Sequence, residues 1–457
     1  MTRAYLTVFL LNIYLFWNSS FLTSTSPYLL SDREAQLAYE LHAILEKHRP
    51  QCDSPIVIGT VGMPPFDAVY ESPRENLVYN FDEICQPLQD AHDNFTLDIH
   101  TIADNRNYRA YRNGTKGIVS AAGGHYMPTF VVTLRMLRRT GSTLPVELFM
   151  RDYQEYEPYV CEVVLPPLNA RCIVLSEILP VERNYHDTTE DFQLKSFAIL
   201  FSSFESILWM DADCIPVHDP AQLLTSKSFT STGLVTWPDF WTNTASPLYF
   251  QISRQPEPPT NARPATEAGV HWLTLLLATY YNYYGPSFYY KLLCQGGPGE
   301  GDNDTFIQAA TAIGEEFYTV SEPIVDWSHP HAPTIRPAML QADPIEDYER
   351  TRQENPCVKD HCVTGSVRGF FIHAHDPEFN PGEVLLEKTL HNGKPTRIWT
   401  NSVDALQRIG YDAEKVTWEE TKTVACTLEH ALDSWKDRSG VCEGVKKHWD
   451  EVFTSED

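Results

Sequence analysis

Ser206-Ile-Leu-Trp-Met-Asp-Ala-Asp-Cys-Ile-Pro216 is the stretch on which the reading of this chain turns. An apolar run from Ile207 to Met210 stops at two carboxylates, Asp211 and Asp213. A run of this kind suits a strand buried on both faces, as in a parallel sheet covered by helices, where ligands bind just beyond the carboxyl ends of the strands. Side chains two apart on an extended segment point the same way, so both acids can address one ligand, and paired hard oxygens suit Mg²⁺ or Mn²⁺. Spacing alone is a weak signal: with 61 acids in 457 residues, chance supplies about eight acid-x-acid triplets, and the flanks must decide.

Upstream, Phe197, Leu200, Phe201 and Phe204 recur at helical spacing after Thr188-Thr-Glu-Asp, which carries cap signals, so a helix is expected to feed the strand. Earlier, Ile118 to Ala122 reads as a short strand, Gly123-Gly124 as a turn, and Pro128 as the opening of a helix with Phe130, Leu134 and Leu137 on one face and Gly141 as its stop. Leu144 to Met150 is the next strand. Strand, glycine turn and helix start can cradle a phosphate; the competing reading is a tight turn with no ligand. Arg135, Arg138 and Arg139 read as a solvated helix face.

Downstream, Gly233 to Trp241 reads as a strand ending in Trp237, Asp239 and Trp241, and the Pro-, Asn- and Thr-rich residues 243–265 as a surface loop. Leu273 to Asn282 is helical. Gln295-Gly-Gly-Pro-Gly-Glu-Gly-Asp-Asn-Asp sets Glu300, Asp302 and Asp304 on a glycine-rich loop before a helix over Thr305–Ile313, where capping is the plain alternative to a ligand role. Gly369-Phe-Phe-Ile-His-Ala-His is the last buried-strand signal. His373 then emerges at a strand end as Asp211 does, and is preferred as third metal ligand over His391 in the polar turn His391-Asn-Gly-Lys-Pro, with His375 as its stand-in.

Helix, apolar strand, Asp-x-Asp and Pro216 together resemble the donor-binding core of GT-A glycosyltransferases, and Lys195 matches a lysine that several such families place near the sugar nucleotide. Read with Gly117-Ile-Val-Ser-Ala-Ala-Gly-Gly, Gly233-Leu-Val-Thr-Trp-Pro-Asp, Tyr280-Tyr-Asn-Tyr-Tyr-Gly-Pro and the Gly-Glu-Gly-Asp loop, the chain resembles the fungal Golgi α-mannosyltransferases that build α-1,2 and α-1,3 branches. The resemblance implies an α/β, Rossmann-like GT-A domain and metal-dependent transfer of mannose from GDP-mannose to a mannoside or glycoprotein glycan, with retention. It implies Asp302 or Glu300 near the transferred sugar, and Gly123, Gly124, Lys195 and Asp211 about the nucleotide. Trp237 reads equally as a sugar platform and as a core residue; with Asp239, Glu267 and Gly297 it is placed about the substrate sugars, while the residues themselves suggest Asp211, Asp213 and His373 on Mn²⁺ or Mg²⁺. A histidine followed by Gly-Lys-Pro in glycogenin-like relatives keeps His391 and Lys394 as alternative metal and phosphate ligands. Around Glu267 the chain is shorter than such relatives, so a shorter acceptor-side wall is expected. A UDP-hexose-dependent transferase on the same core, a silent lumenal subunit and a glycoside hydrolase are the other readings, and the intact acidic motifs argue against silence.

Composition is consistent with this. A net charge of −26 excludes nucleic acid as main partner, since that selects basic patches. The apolar stretch from Ala4 to Trp17, extendable to Leu22, reads as a signal anchor over residues 1–25 rather than a cleaved leader, and the resemblance implies a type II Golgi membrane protein. Residues 26–110, with one helix over Ser31–His48, read as stem and cap, 111–400 as the catalytic domain and 401–457 as an extension. Sequons at Asn18, Asn94, Asn113 and Asn303 fit secretory passage, and the 10 cysteines favour disulfides, Cys161–Cys172 and Cys357–Cys362 first.

Overall fold

The computed structural model describes residues 32–454, apart from 63, 106–107, 180–192, 263, 269–271, 298–301, 328–330, 332–337, 353–356, 359–360, 363–365 and 400–402. The expected anchor therefore lies outside the described residues, among which no helix is long and apolar enough to cross a membrane.

The strands in chain order are β1 (Arg112–Ala121), β2 (Val146–Met150), β3 (Ala170–Val174), β4 (Phe204–Trp209), β5 (Cys214–Pro216), β6 (Val235–Thr242), β7 (Pro264–Ala268), β8 (Tyr318–Thr319), β9 (Val325–Trp327), β10 (Ala338–Ala342), β11 (Cys357–Val358), β12 (His361–Cys362), β13 (Gly369–His373), β14 (Leu390–His391) and β15 (Lys394–Pro395). The centre is a parallel sheet in the order β3-β2-β1-β4. Ile118 sits opposite Val146 on one side and Leu208 on the other. Alternation along these strands divides two cores: Ile118, Leu148 and Leu208 face Phe130, Leu134 and Leu137 of helix Tyr126–Arg139, whereas Val119, Phe149 and Ile173 join Phe197 and Phe201 of helix Leu194–Phe201 and Tyr280 of helix Trp272–Tyr283. Both faces are thus covered, the burial that continuous apolar strands demand.

Beyond Asp213 the chain enters a second, antiparallel sheet, β5-β13-β10-β9, in which Cys214 sits opposite His373. A third sheet, β7-β6-β8, pairs Trp237 with Glu267. The C-terminal helix Ala413–Leu428 packs on helix Tyr126–Arg139 and in turn carries helix Val441–Phe453, to which the Cys426–Cys442 disulfide joins it.

Several expectations are corrected. Phe204 begins β4 rather than extending the preceding helix, and β1 starts at Arg112, well before Ile118. Residues 243–265 are not one surface loop: helix Pro247–Ile252 runs through them, with Leu248, Tyr249, Phe250 and Ile252 buried and Ser246 accepting from Leu248 N at 3.2 Å. Arg135 is pinned rather than solvated, its Nε donating to Glu420 at 2.5 Å, whereas Arg139 stays exposed as expected while donating to Glu419 and Glu420 at 2.8 and 2.9 Å. Arg138 donates to the carbonyls of Ser142, Leu144 and Leu168. A helix over Phe81–Asp104, absent from the sequence reading, buries Leu88, Phe95 and Ile99 in the core shared with Tyr280. Cys161–Cys172 is a disulfide; Cys357 and Cys362 are backbone partners across β11 and β12, their side chains lying outside the description.

Candidate active site

The end of β4 gathers three charged side chains. Trp209 and Asp211 lie on one face of the extended chain, and the Trp209 indole Nε1 donates to Asp211 Oδ1 at 2.9 Å. Lys195, only 4% exposed, reaches in from helix Leu194–Phe201 and donates from Nζ to Asn303 Oδ1 at 2.5 Å. The ammonium lies 5.3 Å from the Trp209 ring centroid and 5.8 Å from that of Phe306. Asp302 opens helix Asp302–Ile313 instead of standing on a loop before it. Its carboxyl is pushed up to about 6, chiefly by burial; Lys195 pulls it down, and the Asp211 charge adds to the rise. Asp302, Lys195 and Asp211 are therefore one electrostatic group. Asp304, one turn face away, is buried and accepts from Asn243 Nδ2 at 2.9 Å, a structural role.

The second acid has partners of its own. His373 Nε2 stands 3.1 Å from Asp213 Oδ1, and Ala374 N donates to the Asp213 carbonyl at 3.0 Å, so β13 and the acid loop are fixed together. The exposed His375 ring is 5.9 Å from that of His373. Glu378, just after β13, is pushed up to about 7 by burial first and then by the charge of Asp213, against a hydrogen bond with Tyr126 that lowers it. Tyr126 opens the helix after Gly123-Gly124. Gly124 has φ +52, and a Cβ on Gly123 would meet the Glu155 side chain at 2.6 Å, so this turn is tight against the protein itself.

A carboxylate and an imidazole facing each other, with a second carboxylate two residues away in sequence, is a donor set that suits a divalent ion. Among the described residues no three such side chains already converge as a ready-made metal cluster.

The other expected site residues are placed elsewhere. Trp237 is buried, donates from Nε1 to the Ala342 carbonyl at 2.8 Å and packs edge-on against Phe371, so it is core and not a sugar platform. It also lines a mostly apolar cavity behind Asp211, with Cys214, Leu223, Gln341 and Phe371. Asp239 Oδ1 accepts from Phe240 N at 2.6 Å. Glu267 lies in β7 opposite Trp237, its side chain outside the description, and Glu300 lies outside the described residues. Gly297 N donates to the Cys294 carbonyl at 2.8 Å. Just before it the fully buried Gln295 clamps the N-terminal segment, accepting from Leu77 N at 2.7 Å and donating to the Glu75 and Thr244 carbonyls at 3.1 and 2.7 Å. His391 stacks on His331 with ring centroids 4.0 Å apart and Lys394 is exposed on the same short hairpin, whereas it is His373 that the fold sets against Asp213.

Trp209, Tyr126 and Glu378 were not singled out in the sequence, and Asn303 only as a sequon. Trp209 carried a signal, its two-residue offset from Asp211 on a strand; Glu378 carried none, because only the fold brings it to Asp213.

The arrangement defines a mixed α/β protein with an acid-bearing strand end at the rim of a parallel sheet, the form expected of a glycosyltransferase. A family model described as "Mannosyltransferase putative" matches residues 115–269 and 265–332. The chain is similar to alpha-1,2-mannosyltransferase MNN21 of Candida albicans, 30% identical over 402 residues that span 73% of this chain and 61% of that protein. It is similar also to MNN24 of the same organism, 34% identical over 416 residues (73% and 58%), and to MNN2 of Saccharomyces cerevisiae, 30% identical over 399 residues (71% and 66%). The chain belongs to the mannosyltransferase family that these fungal proteins represent, and spans about three fifths of their length.

Proposed function

We propose that this chain is a retaining α-mannosyltransferase of GT-A type that moves mannose from GDP-mannose to a mannose hydroxyl of a glycan. The α-1,2 linkage is favoured over α-1,3 by the names of its relatives. The observation that carries the reading is the grouping of Asp211, Lys195 and Asp302 at the end of β4, inside the stretch that matches the family. Lys195, a nearly buried cation, attracts the donor's phosphates, and Asp302 is the carboxylate best suited to face the transferred sugar. The bond from the anomeric carbon to the diphosphate breaks, the acceptor oxygen bonds that carbon on the same face, and its proton passes to the departing phosphate. A divalent ion, Mn²⁺ or Mg²⁺, on Asp211, Asp213 and His373 would neutralise charge on the leaving group. We place the protein in the Golgi membrane, anchored by its N-terminal apolar stretch with the catalytic part in the lumen.

The test is a donor screen with manganese and an α-mannoside acceptor, comparing GDP-mannose with UDP-glucose and UDP-galactose. Transfer from GDP-mannose with an α-1,2 product supports the reading; transfer from a UDP-sugar alone ends it.

A further inference from the structure

Trp209 meets both halves of the charged group with two different chemistries. Its indole N–H donates to Asp211 at 2.9 Å, while its ring takes the Lys195 ammonium at 5.3 Å from the centroid. Phe306 holds the same ammonium at 5.8 Å, and Asn303 accepts one of its protons. An indole offers a flat π face to a cation together with an N–H that can only donate, so it can serve a carboxylate and an ammonium at once without competing for either charge. A buried ammonium among carboxylates would otherwise close onto one of them and cancel both charges. Aromatic rings and a neutral amide hold it instead by attraction that brings no counter-charge.

Building on the function proposed above, we propose that Trp209 is a positioning residue: its N–H sets the Asp211 carboxylate for a divalent cation, and its ring keeps Lys195 off Asp211, leaving the ammonium for the phosphate oxygens of a sugar nucleotide. Trp209→Phe keeps the ring and deletes the donor; Trp209→Leu deletes both.

With GDP-mannose as donor, Trp209→Phe should raise the manganese concentration for half-maximal transfer about tenfold, with kcat nearly restored at saturating metal, as loss of an outer partner does to a metal ligand. Trp209→Leu should lose kcat at every metal concentration and raise the donor KM. A melting transition like that of the wild type separates these effects from unfolding. Transfer abolished in Asp213→Ala but unchanged in its metal response in Trp209→Phe overturns the proposal and leaves the function standing. If the wild type transfers from no donor, the function fails, and the proposal rests on the ¹⁵N-indole spectrum. There the resonance missing from Trp209→Phe must move in Asp211→Asn and stay in Asp213→Asn; an unmoved resonance overturns it.

Discussion

Asp302→Asn tests whether the raised carboxyl at the head of helix Asp302–Ile313 is a functional group held against its own stability. The folded protein keeps the Asp302 proton more tightly than the unfolded chain does, because burial opposes its charge. Its contribution to stability is therefore complete below about pH 4 and is lost as pH rises through about 6. From the usual 3.8 to about 6 the cost is about 3 kcal/mol at 1.36 kcal/mol per pH unit, and partial exposure screens this to about 1–2 kcal/mol. Asparagine, near-isosteric and able to stay at a helix start, has no charge to bury. Melting curves in metal-free buffer should coincide for the two proteins at pH 4 and separate by pH 7.5, with the variant about 1–4 °C higher. Turnover should fall about 100-fold or more while donor affinity holds. A variant that is less stable by one amount at all pH values, and still turns over, would show Asp302 to be a helix cap and nothing more.

Asp213→Ala should abolish transfer and, because the carboxylate is largely buried against His373, cost about 1–2 kcal/mol of stability; wild-type turnover in folded protein refutes this. Manganese titrations should show a raised metal requirement for His373→Ala and none for His391→Ala, and the reverse pattern would move the ligand role to the hairpin. Trp237→Phe, which loses the hydrogen bond to the Ala342 carbonyl, should cost about 1 kcal/mol and leave transfer per folded molecule intact; selective loss of acceptor affinity would restore Trp237 as a sugar contact.

What the sequence disclosed follows from how local each signal is. β4 and its acids were legible because a strand packed on both sides, Leu208 in one core and Ile207 and Trp209 against the other, stays apolar until it meets two carboxylates, and the same logic found β13 and His373. Helix Pro247–Ile252 was hidden in composition that reads as loop, although Ser246 followed by Pro247 is a helix-start signal. Helix Phe81–Asp104 has Leu88, Phe95 and Ile99 on one face, but Pro87 and the polar residues between them obscured the period. Trp237 could not be decided in sequence because an aromatic ring reads alike whether it stacks on a sugar or fills a core; its burial and its bond to Ala342 favour the core. Glu378 and Tyr126 meet across the fold, and no spacing rule reaches that far.

The Gln295 clamp makes residues 58–79 part of the catalytic body rather than a tether to be trimmed. A shortened chain starting near residue 80 would strip this fully buried amide of its partners at Glu75 and Leu77 and its backbone of Val61. Each abandoned buried polar group costs about 1–3 kcal/mol, and the strain would fall on the loop that leads directly to Asp302. Shortened forms made for crystallisation or kinetics should therefore begin upstream of this segment, since a cut that looks harmless in sequence would loosen the candidate site on its Asp302 side.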